Sequence, residues 1–189
     1  MNLNKLRDEI HENAVKHGFW EGERSIAECL ALIHSGVSEA LEADRKGQYA
    51  NGNIKPETID WMTKTWEKST FVENFILKVK DTFEDELADV VIRCLDLCGH
   101  LSFSVNDRFS DLILEYTDNE MKGLTIPERL FVIHSVISKR GEWDENLYII
   151  EIVATVFQIA RVSNIDIEKH IELKMKYNTT RPYKHGKKY

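Results

Sequence analysis

The fold of this chain is decided by two short acidic stretches, Ser38-Glu39-Ala40-Leu41-Glu42-Ala43-Asp44-Arg45 and Phe83-Glu84-Asp85-Glu86-Leu87-Ala88-Asp89-Val90. In each stretch a pair of acids stands three positions apart, Glu39 with Glu42 and Glu86 with Asp89. On an α-helix this spacing puts both carboxylates on one face, a turn apart, where like charges repel unless something pairs with them. Two such helices facing each other would gather the oxygen ligands that a hard cation such as Mg²⁺ prefers. The stretches therefore predict helices with a metal site between them.

The second stretch also fits an ordinary amphipathic helix. Glu86, Asp89, Arg93 and Asp96 form a polar stripe, and apolar residues occupy the remaining positions. A helix face in contact with solvent has the same pattern. Spacing alone leaves both interpretations open.

Helical patterns continue along the whole chain, and no strand-like alternation is present. At 189 residues, with only nine Gly and three Pro, the chain predicts a single all-α domain over 1–189. The predicted helices are near 4–17, 24–46, 57–101 with a break near Ser69-Thr70, 105–122, 126–140, 144–162 and 166–177. The stretch from Gly47 to Pro56 predicts a loop.

Composition argues against several partners. The net charge of −7 is unfavourable for binding duplex nucleic acid. No apolar run is long enough to cross a membrane and the N-terminus is polar, so we expect a cytoplasmic protein without membrane contact. Cys29, Cys94 and Cys98 do not form a disulfide framework, and buried thiols are the simplest interpretation.

Three parts of the sequence resemble one enzyme family. They are Glu28-Cys-Leu-Ala-Leu-Ile-His-Ser35 with the first acidic stretch, Glu84-Asp-Glu-Leu-Ala-Asp-Val-Val-Ile-Arg93, and Lys174-Met-Lys-Tyr-Asn178-Thr-Thr-Arg181-Pro-Tyr-Lys-His-Gly-Lys187. Over 11–100 and 163–189 the chain resembles the MazG-like all-α nucleoside triphosphate pyrophosphatases, which are related to dimeric dUTPase-type enzymes. The resemblance implies a four-helix-bundle core and hydrolysis of an NTP or dNTP to the monophosphate and pyrophosphate. It also implies Mg²⁺, or Mn²⁺, as cofactor.

Ligand chemistry gives the acids and Arg181 their expected roles, and the resemblance implies phosphate-binding roles for Lys174 and Asn178. Metal ligands would be Glu39, Glu42, Glu86 and Asp89, with Glu39, Glu86 and Asp89 also catalytic. Substrate binding would fall to Lys174, Asn178 and Arg181, which recur at roughly helical spacing and by spacing alone would be a charged surface turn. Trp20 could stack on a nucleobase, although a buried aromatic anchor is the commoner role for such a residue.

The sequence departs from the family pattern at Gly36, where the family has its first Glu. Glu42 could substitute, but it lies about a turn further along the helix. A relative with impaired catalysis that binds a nucleotide or a protein partner is therefore the alternative. A di-iron carboxylate bundle is a weaker one, because it needs Glu-x-x-His pairs and none of the seven His has a Glu three residues before it.

The chain also contains an internal echo. Glu28–Ser35 matches Glu128-Arg-Leu-Phe-Val-Ile-His-Ser135 at an offset of 100, and the run from Glu86 aligns with Glu151-Ile-Val-Ala-Thr-Val. Chance similarity between amphipathic helices is one explanation. A degenerate duplication is the other, with an acidic first half over 1–101, a second half over 124–180 that has lost most of its acids, and a basic tail over 181–189.

A duplication would let one chain build the four-helix core that single-copy relatives build by dimerising. A homodimer through other faces is also expected. His34 and His134, at equivalent points of the echo, are better interpreted as core histidines than as metal ligands. The basic tail can be a solvated end or can help to hold phosphates.

Overall fold

A computed structural model describes residues 1–50, 54–65, 67–109, 112, 116–139 and 147–188. Over these ranges the chain is helical and has no β-strand, which confirms the predicted all-α class. The helices are α1 (Leu3–Lys16), α2 (Ile26–Arg45), α3 (Pro56–Lys64), α4 (Lys68–Lys78), α5 (Phe83–His100), α6 (Asn106–Phe109), α7 (Asp118–Gly123), α8 (Ile126–Ser138), α9 (Leu147–Val162) and α10 (Ile167–Asn178). A short 3-10 turn, Tyr183–Gly186, follows α10.

Helix α5 is the centre of the molecule and packs against α1, α2, α9 and α10. It begins at Thr82, whose hydroxyl accepts a hydrogen bond from the backbone N–H of Asp85 and so caps the helix. Because neighbours surround it, its first turn is buried even at Glu84, Asp85 and Glu86. The second acidic stretch therefore lies inside the protein and is not a solvated face.

Four helices form a closed ring around the main core. Helix α2 packs on α5, α5 on α9, α9 on α8, and α8 back on α2. Their apolar faces are buried together, with Ile33, Leu87, Ile133 and Val153 each fully buried. This ring consists of the two hairpins that the echo in the sequence relates.

The two halves touch at equivalent residues. His34 of α2 and His134 of α8 stack with ring centroids 5.0 Å apart, and their Nδ1 atoms lie 2.7 Å apart. Residues that lie on a twofold axis contact their own equivalents, so this is the contact that a duplication with a pseudo-twofold axis would give. The helix starts match as well, because Ser25 with Glu28 and Thr125 with Glu128 form the same capping box.

Two predicted helices are interrupted. The pattern over 57–101 predicted one break near Ser69-Thr70, but of the described residues 65 and 67 are already outside the helices, and the chain leaves helical geometry again at 79–82. Asp81 has a φ of 61°, a left-handed conformation that ends the preceding helical path before Thr82 caps α5. The continuous apolar pattern hid this second break.

The helix predicted over 105–122 is also wrong as one element. Helix α6 covers only Asn106–Phe109, and α7 starts afresh after Thr117, which forms a capping box with Glu120. The predicted residues 110–111 and 113–115 lie outside the described part of the chain, as do 140 and 144–146 at the ends of two other predicted helices.

None of the described helices is by itself long and apolar enough to cross a membrane. Helices α9 and α10 pass such a test only as a pair bent by 118°, and most residues of α9 are buried in the core. All three cysteines are free and buried, as the sequence predicted.

Candidate functional site

Helices α2 and α5 bring three of the predicted acids together. Glu39, Glu86 and Asp89 each offer a carboxylate oxygen, and these oxygens lie within 4.8 Å of one another. Glu39 is exposed at the rim, Asp89 is partly covered and Glu86 is buried. Among the described residues this is one of two groups of acids close enough to share a cation.

Glu42 is placed differently. It lines the same cleft, but its carboxylate is half exposed and pairs with Arg45 at 3.0 Å and Lys46 at 3.4 Å. The extra turn of helix that separates it from Gly36 carries it away from the other acids. Its predicted role as a metal ligand would require those two ion pairs to break.

The second group of acids consists of Asp81, Asp85 and Glu86. Asp85 is fully buried, and its Oδ2 accepts hydrogen bonds from Lys174 Nζ at 2.7 Å and from the backbone N–H of Asp81 at 3.1 Å. Its other oxygen, Oδ1, is buried without a hydrogen-bond partner. A buried carboxylate oxygen in that state is costly unless a cation or another donor meets it.

Burial and charge separate the acids in their pKa values. Burial, together with the nearby carboxylates, raises the pKa of Glu86 to about 8 against the opposing charge of Lys174. Asp89 is also desolvated, but the positive charges of Arg93 and Lys174 outweigh this and lower its pKa to about 2. Burial disfavours the ammonium of Lys174, yet the surrounding carboxylates raise its pKa and keep it protonated.

Arg93 inserts into the acidic group from α5. Its Nε and Nη2 each lie 2.6 Å from Asp89 Oδ2, and Nη2 lies 3.5 Å from Glu39 Oε2. Another guanidinium nitrogen donates to the carbonyl of Leu32 on α2. A Cβ at Gly36 would lie 3.7 Å from Arg93 Cζ, an ordinary contact, and 3.2 Å from Val90 Cγ2, so the backbone of α2 passes close to both side chains.

Opposite the acids, α10 and the following turn supply the other wall of a cleft of about 510 Å³. Lys174, Asn178 and Arg181 all line it, as the sequence predicted for substrate-binding residues. Asn178 is 5% exposed, and its Oδ1 is buried without a hydrogen-bond partner. The basic tail adds Lys187 to the lining, whereas Lys184 and Lys188 are not part of it.

The tail is tied to the far end of the cleft. The backbone N–H of Lys184 donates to the carbonyl of His17 at 2.8 Å, and Tyr183 covers Gly18, which has no Cβ to obstruct the ring. His185 packs edge-on against Phe19 and lines the cleft. Burial lowers the pKa of His185 to about 3, with help from the charge of Arg181, so this imidazole is neutral.

Trp20 lies behind this wall and does not line the cleft. Its ring stacks on His100 with centroids 4.0 Å apart, and its Nε1–H donates to Asp96 Oδ1 at 2.8 Å. Its neighbour Phe19 lines the cleft instead, and Arg24 lies over the rings of both aromatics. Trp20 therefore positions this end of the cleft, and Phe19 is better placed to meet a base.

The residues present fit a divalent cation. The donor set is made of carboxylate oxygens, which suits Mg²⁺ and Mn²⁺. The unpartnered Oδ1 of Asn178 borders the cleft and is an acceptor that a hydrated cation can satisfy, whereas Asp85 lies behind the lining with a carboxylate oxygen within 4.8 Å of one from Glu86. The guanidinium of Arg93 is the one feature that opposes such an ion.

Sequence reasoning did not assign roles to Asp85, Arg93, Phe19 or His185. Arg93 had a usable signal, since it stands four residues after Asp89, the spacing of a helical ion pair. The pairing of Asp85 with Lys174 joins residues 89 positions apart, so no local pattern contains it.

Comparison with known proteins adds nothing to this geometry. No protein-family model, no curated protein and no solved structure matches the chain. What the site does has to be inferred from its own chemistry.

Proposed function

We propose that this protein is a divalent-metal-dependent nucleoside triphosphate pyrophosphohydrolase, which converts an NTP or dNTP to the monophosphate and pyrophosphate. The observation that carries the proposal is one cleft with two opposite walls. Glu39, Glu86 and Asp89 form an acidic wall, and Lys174 and Arg181 stand on the other side. A metal-bound triphosphate needs both kinds of group.

The basic wall would hold the phosphates. Arg181 presents a planar guanidinium that can bind two phosphate oxygens at once, and Lys187 adds a mobile point charge at the rim. Lys174 is already paired with Asp85, so it acts mainly by keeping positive charge deep in the cleft. The amide nitrogen of Asn178 can donate to an oxygen of the substrate, and its Oδ1, which has no hydrogen-bond partner among the described residues, can accept from a donor that the substrate or a water brings.

The acidic wall would hold the cation and the water. Bound by Glu39, Glu86 and Asp89, Mg²⁺ or Mn²⁺ supplies Lewis acidity for a bound water and neutralises charge on the leaving pyrophosphate. The Glu86 carboxylate, which is buried next to this group, is placed to orient the attacking water or to take its proton.

The aromatic end of the cleft would take the base. Phe19 supplies a π surface, and the cation–π contact with Arg24 fixes that surface in place. Phe19, the acids of α2 and α5 and the basic residues of α10 line the same cleft. A nucleotide with its base on Phe19 would therefore have its phosphates between α2, α5 and α10.

The test is turnover of a full panel of ribo- and deoxyribonucleoside triphosphates with Mg²⁺ or Mn²⁺. Pyrophosphate and the matching monophosphate should appear in equal amounts, and chelation of the metal should remove both. Orthophosphate as the sole product, or no product above a metal-free blank, would contradict the proposal.

A second candidate is a nucleotide-binding relative that does not turn its ligand over. The guanidinium of Arg93 on Asp89 and Glu39, where the family pattern has an acid at position 36, favours it. Calorimetry separates the two, because this candidate predicts saturable binding of a triphosphate with no pyrophosphate release.

A further inference from the structure

Arg93 occupies a position that a metal ion would need. Its guanidinium contacts two of the three acids that cluster between α2 and α5, with Asp89 at 2.6 Å and Glu39 at 3.5 Å. Its side chain is 20% exposed, so water screens the pairing only in part. A cation bound by the same oxygens would face this positive charge within a few ångströms.

Helix α2 also contacts the guanidinium of Arg93. The bond to the carbonyl of Leu32 holds the group in place from this helix. A Cβ at Gly36 would lie 3.7 Å from Arg93 Cζ, an ordinary contact, so a side chain at this position would lie beside the guanidinium. The guanidinium is thus held between the backbone of α2 and the acids of the cluster.

We infer that Arg93 keeps the acidic site closed to a bare divalent cation and opens it to a cation that arrives with a triphosphate. Without an anion, the ion and the guanidinium compete for Asp89 and Glu39. A triphosphate offers phosphate oxygens to the guanidinium of Arg93. The guanidinium then moves from the carboxylates of Asp89 and Glu39 to the phosphate, and those carboxylates become available to the cation. This inference rests on the metal site of the proposed function and assigns Arg93 the coupling between the two ligands.

Removing the guanidinium of Arg93 tests its competition with the bare cation separately from its response to the triphosphate. We would titrate Mn²⁺ without nucleotide into the wild type and the Arg93→Gln variant, following free Mn²⁺ by electron paramagnetic resonance. Arg93→Gln should bind Mn²⁺ at least about tenfold more tightly, because a unit charge a few ångströms away is no longer opposed to the ion. Arg161→Gln is the control, since Arg161 pairs with Asp118 on the far side of the bundle.

Circular dichroism melts would show whether Arg93→Gln is folded. If it is not, Arg93→Lys keeps the charge but loses the fork that spans both acids, and an intermediate Mn²⁺ affinity is expected. Equal Mn²⁺ affinity in the wild type and the folded variant would overturn the inference.

The second arm adds inorganic triphosphate as the anion. Its presence should tighten Mn²⁺ binding more in the wild type than in Arg93→Gln, so that the advantage of the variant shrinks or reverses. An unchanged advantage would mean that Arg93 only blocks the metal and does not move to phosphate. Neither arm measures turnover, so the two binding experiments test the role of Arg93 even if the protein releases no pyrophosphate. Pyrophosphate release, in turn, would not support the role of Arg93 if the binding experiments contradict it.

Discussion

The two hairpins of the ring share a framework and differ in chemistry. At the positions of Glu39 and Asp89 in the first hairpin, the aligned second hairpin has Lys139 and Ala154. The counterpart of Arg93 is Gln158, whose side-chain amide donates to the carbonyl of Tyr116 at 2.6 Å and to Asp118 at 3.2 Å. There the side chain holds the start of α7 through Asp118 and the Tyr116 carbonyl, and does not join a cluster of acids.

This difference shows what the framework needs and what the site adds. The apolar residues, the capping boxes and the contacts between helices are kept in both halves, because the four-helix ring needs them. Of the clustered acids, Glu39 and Asp89 have no acidic counterpart in the other half, whereas Glu86 aligns with Glu151. Carboxylates are expensive to bury, and a half that contributes packing alone does not need a cluster of them.

The largest effect is expected at the buried ion pair. Asp85 is paired with Lys174, whereas its aligned counterpart is the fully buried Ile150. Lys174→Met leaves a buried carboxylate without its cation and should cost about 3–5 kcal/mol of unfolding free energy, measured by urea denaturation. Lys169→Met on the surface of the same helix should cost less than about 1 kcal/mol.

The double variant Asp85→Asn with Lys174→Met sharpens this result. It removes both charges and should recover much of the lost stability. If Lys174→Met alone is as stable as the wild type, the buried Asp85 is not charged in the folded protein. The contrast between Asp85 in the first hairpin and Ile150 in the second is then one of polarity and not of charge.

The next effect concerns turnover. Asp89→Asn and Glu86→Gln should each lower pyrophosphate release about a hundredfold or more, since even indirect partners of a metal are worth 10–100-fold. Glu151→Gln, at the position aligned with Glu86, should keep the wild-type rate. Equal losses at Glu86 and Glu151 would mean that both halves take part in the chemistry.

The sequence predicted the fold class and the clustering of Glu39, Glu86 and Asp89, because helical periodicity determines which residues share a face. It also predicted that the two halves meet, and the His34–His134 contact agrees with that prediction. It failed where a local conformation interrupts a continuous apolar pattern, as at Asp81 with its left-handed backbone. It did not predict the pairing of Lys174 with Asp85 either, because only tertiary packing brings α10 to α5.

A change at Gly36 tests whether a carboxylate at this position would join the acidic group. Gly36→Glu gives Arg93 a carboxylate of its own and frees Asp89, so Mn²⁺ affinity should rise by about tenfold. Helix α2 should also gain about 0.5–1 kcal/mol from the loss of Gly, although Val90 must shift slightly from a Cβ at 3.2 Å. Calorimetry measures the affinity, and no change would mean that a side chain at position 36 does not reach the acids.

A smaller effect is expected from the tail. Deletion of 182–189 should raise the substrate KM, because Lys187 and His185 line the cleft. The accompanying loss of unfolding free energy should be the smaller of the two effects. Lys187→Gln should raise KM several-fold, because Lys187 is exposed and an exposed charged contact is worth about 0–1 kcal/mol. Lys184→Gln is the matched control, since Lys184 lies outside the cleft lining. Equal KM values for the two variants would mean that the tail is a solvated end and does not bind phosphate.

The smallest effect concerns the contact between the halves. Burial lowers the pKa of both His34 and His134, and each imidazole lies against the other with Nδ1 atoms 2.7 Å apart. Below the ordinary histidine pKa of about 6.5 the unfolded chain binds more protons than the folded protein, so stability is complete above that pH and falls as the pH drops.

Replacing both residues by Gln should cost about 0.5–1.5 kcal/mol at pH 7.5, the usual worth of a hydrogen bond. The difference in unfolding free energy between wild type and double variant should narrow at pH 5.5, because only the wild type must then exclude protons from this contact. His100→Gln is the control, because His100 stacks on Trp20 and is not part of the His34–His134 contact. This variant should lose stability between pH 7.5 and pH 5.5 through His34 and His134 as the wild type does. If the double variant loses stability with falling pH as steeply as the wild type, then the two histidines are not the acid-sensitive contact between the hairpins.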